Sequence, residues 1–265
     1  MAKTVFFAKN ISDLLYQIKT TKDLEIVGGC TRVEEIPNKY LSVRKVEELS
    51  KIERHERYID VGPGVTLSQL LALGENHLPK VLYDAILSVA NPNVRNLATI
   101  GGNILETNQK LTLFAPLLAL DTRLDFESSN DKTSIMLQNF KSIPEGFILK
   151  NIHIPLIDGD ISIFRRTGPE HSIDETSASF AFIAETEKNT IAKISLAFAG
   201  PFAFRSKDFE NPLLGLRLPL SKSTVKEIQE SARKKFNESS RDIMMDDVMR
   251  QQFFNLVRYA FEQLM

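Results

Sequence analysis

The spacing of apolar positions changes along the chain, and each spacing predicts an element. Across residues 10–20, Leu14, Leu15 and Ile18 recur at helical intervals, with Asn10 or Ser12 as the candidate N-cap. Leu24-Glu25-Ile26-Val27 is a short, largely apolar run that stops at Gly28-Gly29, which reads as a strand entering a glycine turn. Residues 40–46 read as extended, and residues 58–61 as a strand closed by Gly62-Pro63-Gly64. Thr66-Leu67-Ser68-Gln69 has the form of a capping box and predicts a short helix that buries Leu67, Leu70 and Leu71. Helical spacing returns over residues 81–90 through Leu82, Ala85, Ile86 and Val89, and the helix must end before Pro92. A short helix is expected at residues 114–120, and strands at 123–127 and 147–155, the latter with Ile148, Ile152 and Ile154 on one face.

The polar break Leu156-Ile157-Asp158-Gly159-Asp160 marks a boundary. Beyond it, residues 161–166 and 190–199 read as strands. Residues 177–185 fit a strand or a helix, because Ser179-Phe180-Ala181-Phe182-Ile183-Ala184 is too apolar throughout for its period to decide. Residues 209–220, with two prolines, read as loop. Two amphipathic helices close the chain. One carries Val225, Ile228, Ala232 and Phe236; the other, over 246–265, carries Val248, Phe253, Val257, Ala260, Phe261 and Leu264. No internal repeat is present.

Composition narrows the chemistry. The 265 residues are 43% hydrophobic, enough for a sizeable core, and the formal net charge is −1. That balance argues against a nucleic-acid footprint or a polybasic membrane patch. No apolar run approaches the ~20 residues of a membrane span, and the N-terminus lacks the apolar stretch of a signal peptide. A cytoplasmic protein is expected. Cys30 is the single cysteine, so no internal disulfide forms, and the chain's own thiolates cannot hold an iron–sulfur cluster, which takes about four. His55, His77, His153 and His171 show no metal-ligand spacing, and no metal is expected on this chain. Neither a P-loop nor a Gly-x-Ser-x-Gly elbow occurs, and Gly62-Pro63-Gly64 lacks the third glycine of a dinucleotide fingerprint.

The stretch Asn91-Pro92-Asn93-Val94-Arg95-Asn96-Leu97-Ala98-Thr99-Ile100-Gly101-Gly102-Asn103 is the most informative in the chain. Pro92 opens it as a turn or extended piece, and Gly101-Gly102 lets the backbone approach a neighbour too closely for a Cβ. Successive N–H groups in such a turn form an anion-holding nest. Gly28-Gly29-Cys30-Thr31-Arg32 repeats the design, glycines followed by a hydroxyl, with Arg32 adding a cation. Together the two turns could grip a pyrophosphate, one nest from each side. Arg165-Arg166, after a strand, is a further candidate anion contact.

Residues 92–103 closely resemble the signature of the FAD-binding medium subunit of molybdenum hydroxylases, the xanthine dehydrogenase and carbon monoxide dehydrogenase group. Val27-Gly28-Gly29-Cys30-Thr31 is similar to that family's first flavin-phosphate loop. Leu117-Leu118-Ala119-Leu120-Asp121 matches the segment after the second, Ile148-Leu149 to Ile154-Pro155 the strand closing the flavin domain, and Gly200-Pro201 to Arg205 a Pro-x-x-Arg turn. The resemblance implies an α+β fold: an FAD-binding domain at 1–157, in subdomains of about 1–57 and 58–157, then a small sheet-plus-helices domain at 158–265. It implies FAD as cofactor, held by Ile26, Val27, Gly28, Gly29, Cys30, Thr31, Arg32 and Val33, by Thr99, Ile100, Gly101, Gly102 and Asn103, and by Val89, Thr112, Leu149 and Arg165, none of them an acid–base catalyst.

The same resemblance implies an oxidoreductase subunit. Its partners would be a molybdopterin-binding large subunit and a 2Fe-2S small subunit, and electrons would pass through FAD to NAD or another acceptor. The single cysteine agrees with clusters on another chain. Departures from the pattern are local. The run Glu106-Thr107-Asn108-Gln109-Lys110-Leu111-Thr112 has Asn108-Gln109 where the family has Ser-Pro and Thr112 where it has an aspartate, and Arg165 replaces a lysine. Loss of that carboxylate leaves a flavin-free scaffold or assembly subunit as the alternative expectation.

Overall fold

The structure, a computed structural model, describes residues 3–32, 37–106, 109–170 and 172–265. In chain order the strands are β1 (Thr4–Phe7), β2 (Glu25–Val27), β3 (Lys39–Ser42), β4 (Ile52–Arg54), β5 (Tyr58–Val61), β6 (Arg123–Glu127), β7 (Lys132–Met136), β8 (Ile148–Pro155), β9 (Ile161–Thr167), β10 (Ala178–Glu187), β11 (Thr190–Ala199) and β12 (Ala203–Phe204). The helices are α1 (Ile11–Thr20), α2 (Leu67–Leu71), α3 (Lys80–Leu87), α4 (Pro92–Arg95), α5 (Ile100–Ile104), α6 (Phe114–Ala119), α7 (Lys207–Glu210), α8 (Lys222–Ser239) and α9 (Asp247–Glu262). They divide into two units. One comprises Met1–Gly74, Val89–Leu105 and Asp121–Leu156; the other comprises Glu75–Ser88, Glu106–Leu120 and Ile157–Met265.

In the first unit β1, β3 and β2 form a parallel sheet in that order. The Asn10 side chain accepts from the Asp13 N–H at 2.8 Å and starts α1, which buries Ile11, Leu14 and Leu15 against Leu41, Val43, Val46 and Leu49. The extended stretch expected over 40–46 ends at Ser42: a turn and a single 3-10 turn at Glu47–Leu49 follow, burying Leu49.

The second sheet of this unit is antiparallel, in the order β4-β5-β8-β6-β7. A bulge shifts the β6–β8 register between Asp125 and Phe126, so that Phe126 faces Leu149 while Leu124 faces Ile152. Leu149 therefore lies on the Ile152 and Ile154 face. Ile148, expected there, turns to the opposite face and joins the α1 cluster. One extra residue in a strand moves every later side chain across the sheet.

In the second unit β12, β11, β10 and β9 form an antiparallel sheet. Lys188 and Asn189, both with positive φ (50 and 60°), close the two-residue β10–β11 hairpin. Ala178, Phe180, Phe182 and Ala184 face a cluster with Ala232 and Phe236 of α8 and Phe253, Val257 and Phe261 of α9. The Phe236 and Phe253 rings stack with centroids 3.9 Å apart. Helices α3 and α6 also pack against the sheet, and Ala181 and Ile183 of the alternate set are buried as well. A strand covered on both faces has no polar face, which is why residues 179–184 carry no readable period.

Two further expectations change in this unit. Val248, placed on the buried stripe of α9, is 61% exposed, and Met249 and Phe254 are buried instead. The stripe runs through 249, 253, 257 and 260–261, one position round the helix from Val248. The loop expected over 209–220 begins with α7, whose Ser206 cap accepts from the Phe209 N–H at 3.2 Å, and with a 3-10 turn at Asn211–Leu213. Arg205 and Glu210 explain the ordered turn. Both side chains are buried, with Nε 3.0 Å from Oε1. Arg205 also donates to the Leu118 carbonyl at the end of α6 and to Ser195 of β11, and Glu210 accepts from the Leu196 N–H.

Candidate functional site

Two backbone segments of the first unit meet where β2 ends. Val27 is buried, and the chain then turns through Gly28 and Gly29 to exposed Cys30, Thr31 and Arg32. Gly29 lies so near the Leu97 carbonyl that a Cβ there would overlap it, and a Cβ on Gly28 would sit 3.3 Å from Thr99 Oγ1. The glycine turn is thus pressed onto residues 97–99, and only glycine permits that approach.

Residues 97–101 are in turn sewn to the loop after β5. The Leu67 N–H donates to the Ala98 carbonyl, Ile100 to Val65, and Gly101 to Pro63, at 2.9, 3.0 and 3.0 Å. A Cβ on Gly101 would fall 2.5 Å from Pro63 Cβ. Gly62-Pro63-Gly64, read from the sequence only as a strand end, is therefore the surface that requires Gly101.

The second anion nest expected at Gly101-Gly102 does not form. Thr99 caps α5, its Oγ1 accepting from the Gly102 N–H at 3.1 Å, while the Asn103 N–H donates to the Thr99 carbonyl. The N–H groups of residues 100–103 are all engaged within the protein. Pro92 likewise sits at the first position of α4, where its missing donor costs nothing, and Asn91 Oδ1 accepts from Val94.

The first turn is different. Among the described residues, the N–H groups of Gly28, Gly29 and Thr31 donate to no partner. Cys30 has φ 55°, after a Gly29 whose φ is not positive. A change in the sign of φ between successive residues is one feature of turns whose N–H groups hold anions. Ile26 and Leu97, 42% and 41% exposed, place apolar surface in the two segments that meet here.

The remaining candidates are distributed as follows. Thr99, Ile100, Gly101 and Asn103 are buried around α5, and Gly102 is exposed. Val89 is buried, and its carbonyl accepts from Arg95 Nη1 at 2.8 Å. Leu149 is buried in β8. Val33 lies outside the described residues. Thr112 and Arg165 belong to the second unit. There Thr112 is buried, and Arg165 is exposed, its guanidinium 5.5 Å from the Tyr259 ring and 3.4 Å from the Tyr259 hydroxyl. Arg166 is committed to the backbone, donating to the Pro169 and Ser172 carbonyls, and its burial pulls the guanidinium pKa below the ordinary value while Asp174 opposes the shift.

One polar cluster went unseen in the sequence. His55 and His153 flank the Tyr58 ring at 4.2 and 4.1 Å and reach the two oxygens of Asp60, at 3.6 and 2.8 Å. The pairing of Asp60 with His153 across β5 and β8 brings them together, and residue spacing alone carries no signal of it.

Residues 1–157 match a family described as the FAD binding domain in molybdopterin dehydrogenase. The indole-3-acetaldehyde oxidase of Zea mays is 28% identical over 206 residues, covering 72% of this chain and 15% of that protein. The nicotinate dehydrogenase FAD-subunit of Eubacterium barkeri is 31% identical over 149 residues, 52% of this chain and 49% of that one. The chain thus spans about 15% of the plant oxidase and about half of the bacterial subunit. Among solved structures, the carbon monoxide dehydrogenase from Hydrogenophaga pseudoflava has the same fold, with a TM-score of 0.83 at 16% identity over 100% of this chain and 97% of that one. The protein, an α+β chain whose Gly28-Gly29 turn is pressed onto residues 97–99 of its first unit, belongs to the family of FAD-binding domains of molybdopterin dehydrogenases.

Proposed function

We propose that this chain is the FAD-carrying electron-transfer subunit of a molybdenum hydroxylase. The observation that carries the reading is the Gly28–Thr31 turn, held against residues 97–99 with its N–H groups open. Open donors on neighbouring residues of one turn suit a diphosphate, so the residues present fit FAD. In this reading Gly28, Gly29 and Thr31 hold the diphosphate by their N–H groups, with Cys30 between them shaping the turn, and Arg32 adds charge. Thr99 to Asn103 form the floor that fixes the turn. Ile26, Val89 and Leu149 offer apolar surface, while Thr112 and Arg165 are assigned as contacts on the family resemblance. FAD, when bound, supplies the electron-carrying chemistry between iron–sulfur clusters on a partner chain and NAD or another acceptor. The chain's own residues bind and orient it.

Residues 1–157 are assigned as the flavin domain and 158–265 as the C-terminal domain of the subunit. Support for partner chains comes from the relatives' names. One is an FAD-subunit of nicotinate dehydrogenase, and another is subunit alpha of the 6-hydroxypseudooxynicotine dehydrogenase complex of Paenarthrobacter nicotinovorans. The proposed partners are a molybdopterin-binding large subunit and a 2Fe-2S small subunit. No helix among the described residues is long and apolar enough to cross a membrane, and a cytoplasmic location is proposed.

A visible absorption spectrum tests the reading, taken before and after excess FAD is added and free cofactor removed. Retained flavin bands support it. A colourless protein that refuses FAD, alone and with its partner chains present, overturns it in favour of a flavin-free scaffold.

A further inference from the structure

The Gly28-Gly29 turn is reached from both sides by one circuit of backbone contacts, all of it within the first unit. On the β3 side, the Val43 N–H donates to the carbonyl of Val27, the residue before Gly28, at 3.2 Å. The Val46 N–H donates to the Val43 carbonyl and the Leu49 N–H to the Val46 carbonyl, each at 3.0 Å. The Gly64 N–H then donates to the Leu49 carbonyl at 2.7 Å. From this turn the Pro63 and Val65 carbonyls accept from Gly101 and Ile100. That segment begins at Leu97, whose carbonyl meets Gly29 and closes the circuit.

The Leu49 carbonyl is a second point of close approach. A Cβ on Gly62 would overlap its oxygen, and a Cβ on Gly64 would fall 2.9 Å from that oxygen and 3.0 Å from Ser50 Oγ. Neither glycine has a positive φ, so close approach and not backbone handedness calls for glycine at both positions. Leu49 has little room to yield, because its side chain is buried with Val43 and Val46 in the α1 cluster. The 62–64 turn is closed on itself by the Val65 N–H, which donates to the Gly62 carbonyl at 3.0 Å, and it moves as one piece. A close-packed interior passes a displacement on to its neighbours, and the next neighbours here are residues 97–101.

We propose that Gly62 and Gly64 are positioning residues for the flavin diphosphate: seated on the Leu49 carbonyl, they set where residues 97–101 lie and so hold the Gly28–Thr31 turn in shape. The proposal rests on the flavin reading above, and neither glycine is a cofactor contact in it. It gives Gly62-Pro63-Gly64, which is no dinucleotide fingerprint, a role one contact removed from the phosphate turn.

Three variants of the full chain test it: Gly62→Ala, the milder Gly64→Ala, and Leu124→Ala, which empties a buried site of β6 outside the circuit. Amide hydrogen exchange reads the circuit without any cofactor. Exchange at Ile100 and Gly101 should be faster in both glycine variants than in the wild type. Flavin fluorescence titration should show affinity for FAD weakened about tenfold in both. Leu124→Ala should be less stable in urea yet keep wild-type affinity, which a merely structural role for the glycines would not predict. Should Gly62→Ala fail to fold, Gly64→Ala carries the test. Unchanged exchange at Ile100 and Gly101 overturns the circuit. Faster exchange with wild-type affinity, or an equal loss of affinity in Leu124→Ala, overturns the positioning role alone. A wild-type chain that takes up no FAD overturns the flavin reading and this role with it.

Discussion

Gly29 rests directly on the carbonyl group of Leu97, so the first glycine turn and the Asn91–Asn103 stretch are two sides of one contact. Any side chain at position 29 must push the turn away from residues 97–99. Gly29→Val should leave the protein folded, at a cost of about 1–3 kcal/mol for overpacking, and should abolish retention of FAD. Gly101→Val should do the same through Pro63. Gly102→Ala is the milder change in the same segment, because its Cβ would press only on Thr99 Oγ1, at 3.2 Å, and should lower FAD retention less than either. Desalted protein read by absorbance at the flavin bands ranks the three. Equal FAD content in Gly29→Val and wild type would remove the turn from the site.

The buried pair Arg205 and Glu210 ties α6, β11 and α7 of the second unit together. Removing one partner strands the other charge in the interior. Glu210→Ala should therefore cost about 3–5 kcal/mol, seen as a lower midpoint in urea unfolding. Arg205→Leu with Glu210→Leu should be less destabilising than the two single changes added together, since no charge is then left buried. Strict additivity would mean that the pair is not coupled.

What could be read from the sequence, and what could not, follows from where the determining contact lies. The Thr66 capping box and the Asn10 cap formed as expected because each is closed within four residues. The family signature and Gly28-Gly29 were visible because glycine marks a close approach even when its partner is unknown. The partners were not visible: Leu97 for Gly29 and Pro63 for Gly101 are set by tertiary pairing. The same pairing engaged the N–H groups of residues 100–103, so a nest inferred from a Gly-Gly turn became a capped helix start. Ile148 crossed the sheet because of a bulge that periodicity cannot locate.

Asp125, in β6, gives a pH dependence with a definite sign. Burial pushes its carboxyl pKa up, but hydrogen bonds from Ser134, Arg123 and Asn151 together outweigh burial and hold it below the ordinary 3.8. A group whose folded pKa is depressed adds stability above its unfolded pKa and loses it as pH falls through the folded one. Asp125→Asn should therefore be less stable than wild type at neutral pH by about 1–3 kcal/mol. The gap should begin to close as pH falls below 3.8 and vanish once the wild-type carboxyl is protonated. Urea midpoints at neutral and acid pH measure it. A gap that stays constant through that window would show that the charge is not what these partners recognise.

Thr112 is the position where a neutral side chain replaces the family's aspartate, and it is buried, at 6% exposure. Restoring the carboxylate has opposite effects with and without cofactor. In the free protein a carboxylate at this depth is taken out of water, so Thr112→Asp should lower thermal stability, by about 1–3 kcal/mol. If Thr112 faces the flavin, the new carboxylate gains a charge-assisted hydrogen bond when FAD binds, worth roughly ten- to a hundredfold in affinity. FAD should then raise the melting temperature of Thr112→Asp more than that of wild type, because ligand that binds only the folded state stabilises more the tighter it binds, with the logarithm of its affinity. Thr112→Asn, uncharged and of similar size, should show neither change in full. Thermal melts with and without FAD, together with a fluorescence titration, separate the two effects. A Thr112→Asp chain that is less stable and binds FAD no better than wild type would place Thr112 in the packing of the second unit rather than beside the cofactor.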